Sequence, residues 1–283
     1  MTSPPVKCFR LLACLFLLLL FSANGDCASR FERVSDGRIV DFAGMVADLK
    51  GARLAFLGEV HDKREHHDLQ LEVIKSLHQA GIPVAIGVEM FSFDYQPLLD
   101  RWVAGEIPLP EFVRAYQQSW TIPWAMYDDL FLYARNNRIP LVALDIPREI
   151  AMTVARHGFA SLPPTVRQQL PAIASCRIDA PYMEFIRRAF ENHGTGSRQQ
   201  FMHFCEAQQL RNQTMAWYLL SYHKREPQRL VVVLTGVGHA MKRGIPYEIH
   251  ELSPLPLKVV IPRLAPGARN SLDVSDADYY LLD

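Results

Sequence analysis

The sequence predicts an α/β fold: a layered, mixed but mostly parallel sheet with helices on both faces and a helical cap. Three observations predict it. Apolar runs of strand length recur at residues 53–58, 84–89, 140–145, 229–236 and 257–261. Between them lie stretches whose apolar residues repeat at helical spacing, the alternation expected of an α/β layer structure. The segments at about 91–137 and 147–224 are too long for simple crossovers, so they are expected to form helical elaborations above the sheet.

Each element has its own local reason. Leu54, Ala55, Phe56 and Leu57 form a short apolar run that ends in Gly58 and reads as a buried strand. Residues 62–80 carry Leu69, Val73, Ile74 and Leu77 along one helical face. Asp62 is expected as the N-cap of this helix, with Glu65 as its capping-box partner. Gly81 suits the position just past the helix end, with Pro83 beyond it. Residues 84–89 follow as a second buried strand. The pair forms a β-α-β unit, which implies parallel strands and a right-handed crossover. Further helices are expected at 94–104, 109–118, 125–136, 148–157, 182–192 and 196–223. Residues 266–275 are rich in Gly, Ser and Asp and read as loosely held.

Composition limits the function classes. Of 283 residues, 49% are apolar and 21% charged, with zero formal net charge. No Lys/Arg-rich run follows residue 30, so the electrostatic footprint of a nucleic-acid binder is absent. The N-terminus is distinctive. Lys7 and Arg10 precede an apolar run at 11–21, followed by Ser22-Ala23-Asn24-Gly25. This is the pattern of a secretory signal peptide, assigned to residues 1–27. A transmembrane helix needs roughly 20 apolar residues, more than this run supplies. Ala23-Asn24-Gly25 fits simple cleavage, while Cys27 is the residue a lipoprotein pathway would modify; both routes stay open. Either places the mature chain in the periplasm or at the outer membrane. Cys176 and Cys205 then pair as a disulfide or remain two buried thiols.

Four of the apolar runs end in polar clusters: Gly58-Glu59-Val60-His61-Asp62, Glu89-Met90, Asp145, and Gly236-Val237-Gly238-His239. In an open α/β sheet, ligands bind outside the carboxyl ends of the strands. The clusters are therefore expected to meet at one edge of the sheet. His66, His67, His193 and His203 read instead as solvated or core residues.

Gly58-Glu59-Val60-His61, Gly87-Val88-Glu89 and Gly236-Val237-Gly238-His239, taken in order, resemble the paired G-x-x-H motifs and intervening Glu of the Tiki superfamily. The segments 208–216 and 238–246 are similar to the ChaN-like haem-binding branch of it, with Asn212 where that branch usually has Asp. The resemblance covers about residues 40–264 and leaves 265–283 as a C-terminal tail. It implies an exported haem-binding protein acting in iron uptake, with a homodimer and outer-membrane or haem-uptake components as partners. It also implies a tyrosine ligand to the haem iron, here Tyr127, Tyr95 or Tyr182, with Tyr116 a further alternative, and Lys242 and Arg243 or Arg211 near the propionates. The alternative reading is a hydrolase built on Glu59, His61, Glu89 and His239. In it His61, Glu89 and His239 hold a divalent ion such as Zn or Mn, or His61 acts as a base oriented by Glu89.

Overall fold

The computed structural model describes residues 29–171, 176, 178–192, 196–263 and 276–282. The expected leader and the expected loose stretch 266–275 lie outside them. The described chain opens with a hairpin, β1 (Arg30–Arg33) and β2 (Arg38–Asp41), turned at Gly37 in the left-handed region (φ 68°). α1 (Phe42–Leu49) follows, its N-cap Asp41 accepting from the Gly44 amide at 2.8 Å. The predicted β-α-β unit is β3 (Leu54–Glu59), α2 (Arg64–Gln79) and β4 (Val84–Ser92). Gly81 has the positive φ (75°) expected of it. The expected capping box does not form: the helix begins two residues after Asp62, and its N-cap Lys63 makes no side-chain cap bond.

The first elaboration contains α3 (Gln96–Ala104), α4 (Leu109–Ser119) and α5 (Asp128–Asn136), with short 3-10 turns at Phe93–Tyr95 and Trp124–Met126. β5 (Leu141–Asp145) leads to α6 (Arg148–His157), α7 (Pro164–Arg167), α8 (Ala180–Asn192) and the long α9 (Arg198–Arg225). Ser197 and Gln200 form a reciprocal capping box at the start of α9. β6 (Leu230–Gly236), α10 (Val237–Ala240), α11 (Ile245–Leu252), β7 (Leu257–Pro262) and β8 (Tyr279–Leu282) complete the fold.

The eight strands form one sheet in the order β2-β1-β8-β7-β3-β6-β4-β5. β8, β7, β3, β6, β4 and β5 are parallel neighbours, while β1 runs antiparallel to β8 and β2 to β1. The α/β reading with a mostly parallel sheet therefore holds. The sheet also takes in residues on both sides of 40–264, namely β1 and β8. β2 is a short, charged edge strand, a design that discourages pairing with other chains.

Alternation along the strands builds two cores. Ala55 and Leu57 face one side with Ile86, Val88, Val232 and Leu234, packed under α1 to α5. Leu54 and Phe56 face the other with Ala85, Val231 and Val233, packed under α8 to α11. A period of two puts successive residues on opposite faces, and the pairing Leu54↔Val231 and Phe56↔Val233 keeps the two sets in register. Because both faces are covered, the strands read as continuous apolar runs. A disulfide joins Cys176 to Cys205, with Cα atoms 5.6 Å apart, and ties the segment before α8 to α9.

The glycine of the first G-x-x-H motif has a packing reason. A Cβ on Gly58 would lie 2.7 Å from Ile261 Cγ2 and 2.9 Å from Ala240 Cβ, both buried side chains. The Gly58→Ala variant is expected to lose about 1–3 kcal/mol, because the close seat of α10 on β3 and β7 is overpacked. Thermal melting checks this. An unchanged melting temperature would mean that α10 shifts without cost.

Candidate functional site

The carboxyl ends of β3, β4, β5 and β6 deliver Glu59, Glu89, Asp145 and Gly236 to one edge of the sheet, as the sequence predicts. α10 begins directly after β6 and carries His239 to the same edge. The side chains form two hydrogen-bonded groups rather than a single pool.

The first group is centred on Glu59, which is 2% exposed. Its Oε1 accepts from His61 Nδ1 at 2.9 Å and from the Tyr127 hydroxyl. Its Oε2 accepts from Gln70 Nε2 at 2.8 Å and faces His67 Nδ1 at 3.2 Å. Burial would raise the Glu59 pKa, but the hydrogen bonds from His61 and His67 hold it at about 2. His67 Nε2 faces the carbonyl oxygen of His61 at 3.1 Å. Both ring nitrogens of His67 thus meet oxygens that only accept, which fits a buried imidazolium. Burial disfavours that charge, and the Glu59 carboxylate more than restores it, so the His67 pKa is raised. The same balance of burial against Glu59 raises His61, whose side chain keeps 37% exposure.

The expected orienting partner of His61 is Glu89; the structure supplies Glu59 instead. His61 needs its glycine neighbour as well, since a Cβ on Gly236 would lie 2.9 Å from the imidazole Cε1. Sequence reading missed His67 and Gln70 as parts of this group. A signal was available: their three-residue spacing, continued by Val73 and Ile74, places both on the buried stripe of α2.

The second group is centred on Arg211 of α9. Its Nη2 donates to Glu89 Oε1 and to Asp145 Oδ2, each at 2.6 Å, and its Nε donates to Asp145 at 3.0 Å. Its Nη1 lies 2.9 Å from His239 Nε2. A guanidinium only donates, so Nε2 must accept. His239 Nδ1 therefore carries the proton and donates to Asn212 Oδ1 at 2.6 Å. Asn212 Nδ2 donates to the Tyr182 hydroxyl at 2.9 Å, which donates to the Gly238 carbonyl at 2.8 Å. Burial and then Arg211 lower the His239 pKa to about 3, so the ring is neutral. Burial would raise Glu89, but with His239 neutral the Arg211 charge facing it, helped by the Gly236 amide at 2.7 Å, holds it below the usual carboxylate range. Burial pushes Asp145 up against the pull of Arg211, and the two carboxylates raise Arg211 in turn.

With Nε2 accepting from Arg211 and Nδ1 donating to Asn212, His239 has no lone pair left for an ion. Among the described residues, no group of three or more His, Cys, Asp or Glu side chains is arranged to hold a metal. The expected trio of His61, Glu89 and His239 is split between the two groups.

Beside the second group lies a cleft of about 550 Å³, within the roughly 300–1,000 Å³ common for small-molecule sites. Glu89, Asp145 and Arg211 form its floor; Trp120, Tyr95, Ile146 and Met152 supply apolar and aromatic wall. Of the expected tyrosines, Tyr95 lines it. Tyr127 is buried against Glu59, Tyr182 is buried against Asn212, and Tyr116 donates to the Ile122 carbonyl at 2.9 Å. Lys242 and Arg243 lie away from the cleft: Lys242 pairs with Asp278 at 3.0 Å, and Arg243 with Asp276 at 2.7 Å and with Asp179. Met152, Trp120 and Arg148 are cleft residues that the sequence did not single out.

The solved structure titled cofacial heme binding to ChaN of Campylobacter jejuni superposes with a TM-score of 0.73 at 19% identity, over 91% of this chain and 97% of that one. A mutant erythromycin esterase, EreC, in its open conformation superposes with a TM-score of 0.51 at 13% identity, over 90% of this chain and 82% of that one. These likenesses establish the fold. Protein RETICULATA-RELATED 5, chloroplastic, of Arabidopsis thaliana is 25% identical over 151 residues, 51% of this chain. This chain spans only 20% of that relative's length. The family model described as "Haem-binding uptake, Tiki superfamily, ChaN" matches residues 45–249, and the chain belongs to that family.

Proposed function

We propose that this protein binds haem in the strand-edge cleft, with the Tyr95 hydroxyl oxygen as axial ligand to ferric iron. The observation that carries the reading is the cleft itself: an apolar and aromatic wall with one of the expected tyrosines on it, in a chain of a haem-binding family. A phenolate oxygen is a suitable donor for ferric haem. Burial, then Asp94 and Glu149, raise the Tyr95 pKa. Iron must therefore displace a firmly held proton, and binding is expected to strengthen with rising pH.

The wider reading is that the chain is exported behind residues 1–27, held at the membrane through Cys27 or released by simple cleavage, and acts in iron uptake. A second copy of the chain and outer-membrane uptake components are its expected partners. No helix among the described residues is long and apolar enough to cross a membrane. The test is a haemin titration of residues 28–283 followed by absorption. Wild type is expected to give a saturable Soret shift. Tyr95→Phe is expected to change the ferric spectrum and weaken binding at least tenfold. A saturable shift that Tyr95→Phe leaves untouched would remove Tyr95 as ligand.

A further inference from the structure

The amino edge of the sheet, opposite the cleft, gathers positive charge. Three turns meet there: 80–83 before β4, 137–140 before β5 and 226–229 before β6. The Leu230 amide donates to the Pro83 carbonyl and the Ile86 amide to the Pro140 carbonyl, each at 2.9 Å, which knits the three together. Between them lies a depression of about 300 Å³ whose walls carry His78, Arg138 and Arg229 and no Asp or Glu. We propose that this depression binds a phosphate group, either the free ion or the monoester of a small molecule. It lies at the other edge of the sheet from the cleft, so the proposal is independent of the haem reading.

The three side chains have donors to spare. Arg229 uses two of its five N–H groups, Nε toward Glu226 at 3.3 Å and Nη1 toward the Val84 carbonyl at 3.1 Å. Arg138 is exposed and makes no ion pair or side-chain hydrogen bond among the described residues. His78 Nδ1 lies 3.0 Å from the Tyr133 hydroxyl. When that hydroxyl donates, the ring proton sits on Nε2 and is available to a ligand. The carboxyl ends of α2 and α5 favour positive charge here, yet Arg138 donates to no carbonyl of either helix. The backbone adds a separate observation. Arg138 has φ 52°, in the left-handed region that favours glycine, and the other positive-φ positions described are Gly37, Gly81, Gly105 and Gly158. Such an outlier points to a task for the side chain it carries. Guanidinium forks match carboxylate and phosphate alike. Donors arriving from three segments need an oxygen each, which phosphate supplies and a carboxylate does not.

The test follows thermal melting of the protein in phosphate-free buffer against added inorganic phosphate or glycerol 3-phosphate, with chloride at matched ionic strength as reference. Wild type is expected to show a saturable rise in melting temperature with at least one of the two probes, and the stronger of them names the source. Arg138→Gly is expected to melt no lower than wild type without phosphate, because glycine takes this φ freely. Its apparent affinity for the probe is expected to fall roughly tenfold or more, the worth of a charged hydrogen-bonding group. Arg38→Gln, which removes an exposed arginine at the far side of the sheet, is expected to respond as wild type. The proposal is overturned if neither probe acts beyond chloride, or if Arg138→Gly keeps the wild-type response. It is overturned equally if Arg38→Gln weakens the response as much as Arg138→Gly, since the effect is then general screening of surface charge.

Discussion

Replacing Arg211 by methionine is expected to remove about 3–5 kcal/mol of stability at neutral pH. Methionine keeps most of the side-chain volume, so the loss comes from charge rather than from a cavity. Glu89 and Asp145, each less than a tenth exposed, would be left at the sheet edge with no cation between them. Leaving one member of a buried charged group unpaired costs far more than the pair itself contributes. Urea unfolding reads the effect. The deficit is expected to shrink as the pH is lowered, because the stranded carboxylates can then take up protons. Adding Glu89→Gln to the variant is expected to recover part of the loss. A urea midpoint equal to that of wild type at pH 7 would show that the guanidinium is not what holds these carboxylates.

Acid is expected to unfold the protein steeply, and the sign follows from five groups. Glu59 sits at about 2 in the fold against 4.5 for a free glutamate, and Glu89 is likewise held low. Glu59 contributes roughly 3 kcal/mol that is present above pH 4.5 and lost as the pH falls toward 2, and Glu89 acts in the same direction. His239 is held neutral to about 3 against 6.5, so the unfolded chain takes its proton first, and stability begins to fall below pH 6.5. His61 and His67 are raised and act the other way: their contribution is full below 6.5 and fades as the pH rises above it. The net expectation is greatest stability near neutrality, a shallow decline to about pH 4.5 and a steep one below. Unfolding free energy measured in urea between pH 3 and 8 checks the shape. A flat profile down to pH 3 would mean that the two glutamates are not ion-paired as described.

The parallel strands and the edge where Glu59, Glu89, Asp145 and His239 meet were legible in the sequence because both faces of the sheet are buried. Burial writes each strand as an unbroken apolar run with a polar stop. β1, β2 and β8 escaped because short, partly exposed strands such as Arg30–Arg33 carry no such run, and β1 and β8, which pair with each other, lie far apart in sequence. The pairing within the site was harder to read. Whether His61 faces Glu59 or Glu89 depends on the rotation of one side chain about the strand end, which no spacing encodes. Tyr127 looked like a ligand because it lies in an aromatic segment; that segment instead packs inward, and its hydroxyl goes to Glu59. Arg148 carried no signal, since an arginine at the start of a helix is ordinary surface until the fold puts a cleft beside it.

The antiparallel pair β1 and β8 has a consequence for how the molecule is presented. Arg30 pairs with Leu282, so both ends of the described chain meet at one side of the sheet. The cleft lies at the ends of β4 and β5, and β4 is five strands away from β1. At about 4.8 Å per strand, that is about 24 Å. Under the proposed attachment through Cys27, the leash grips one flank of the molecule. The opposite flank, where the ligand enters, faces outward, unshielded by the surface that holds it.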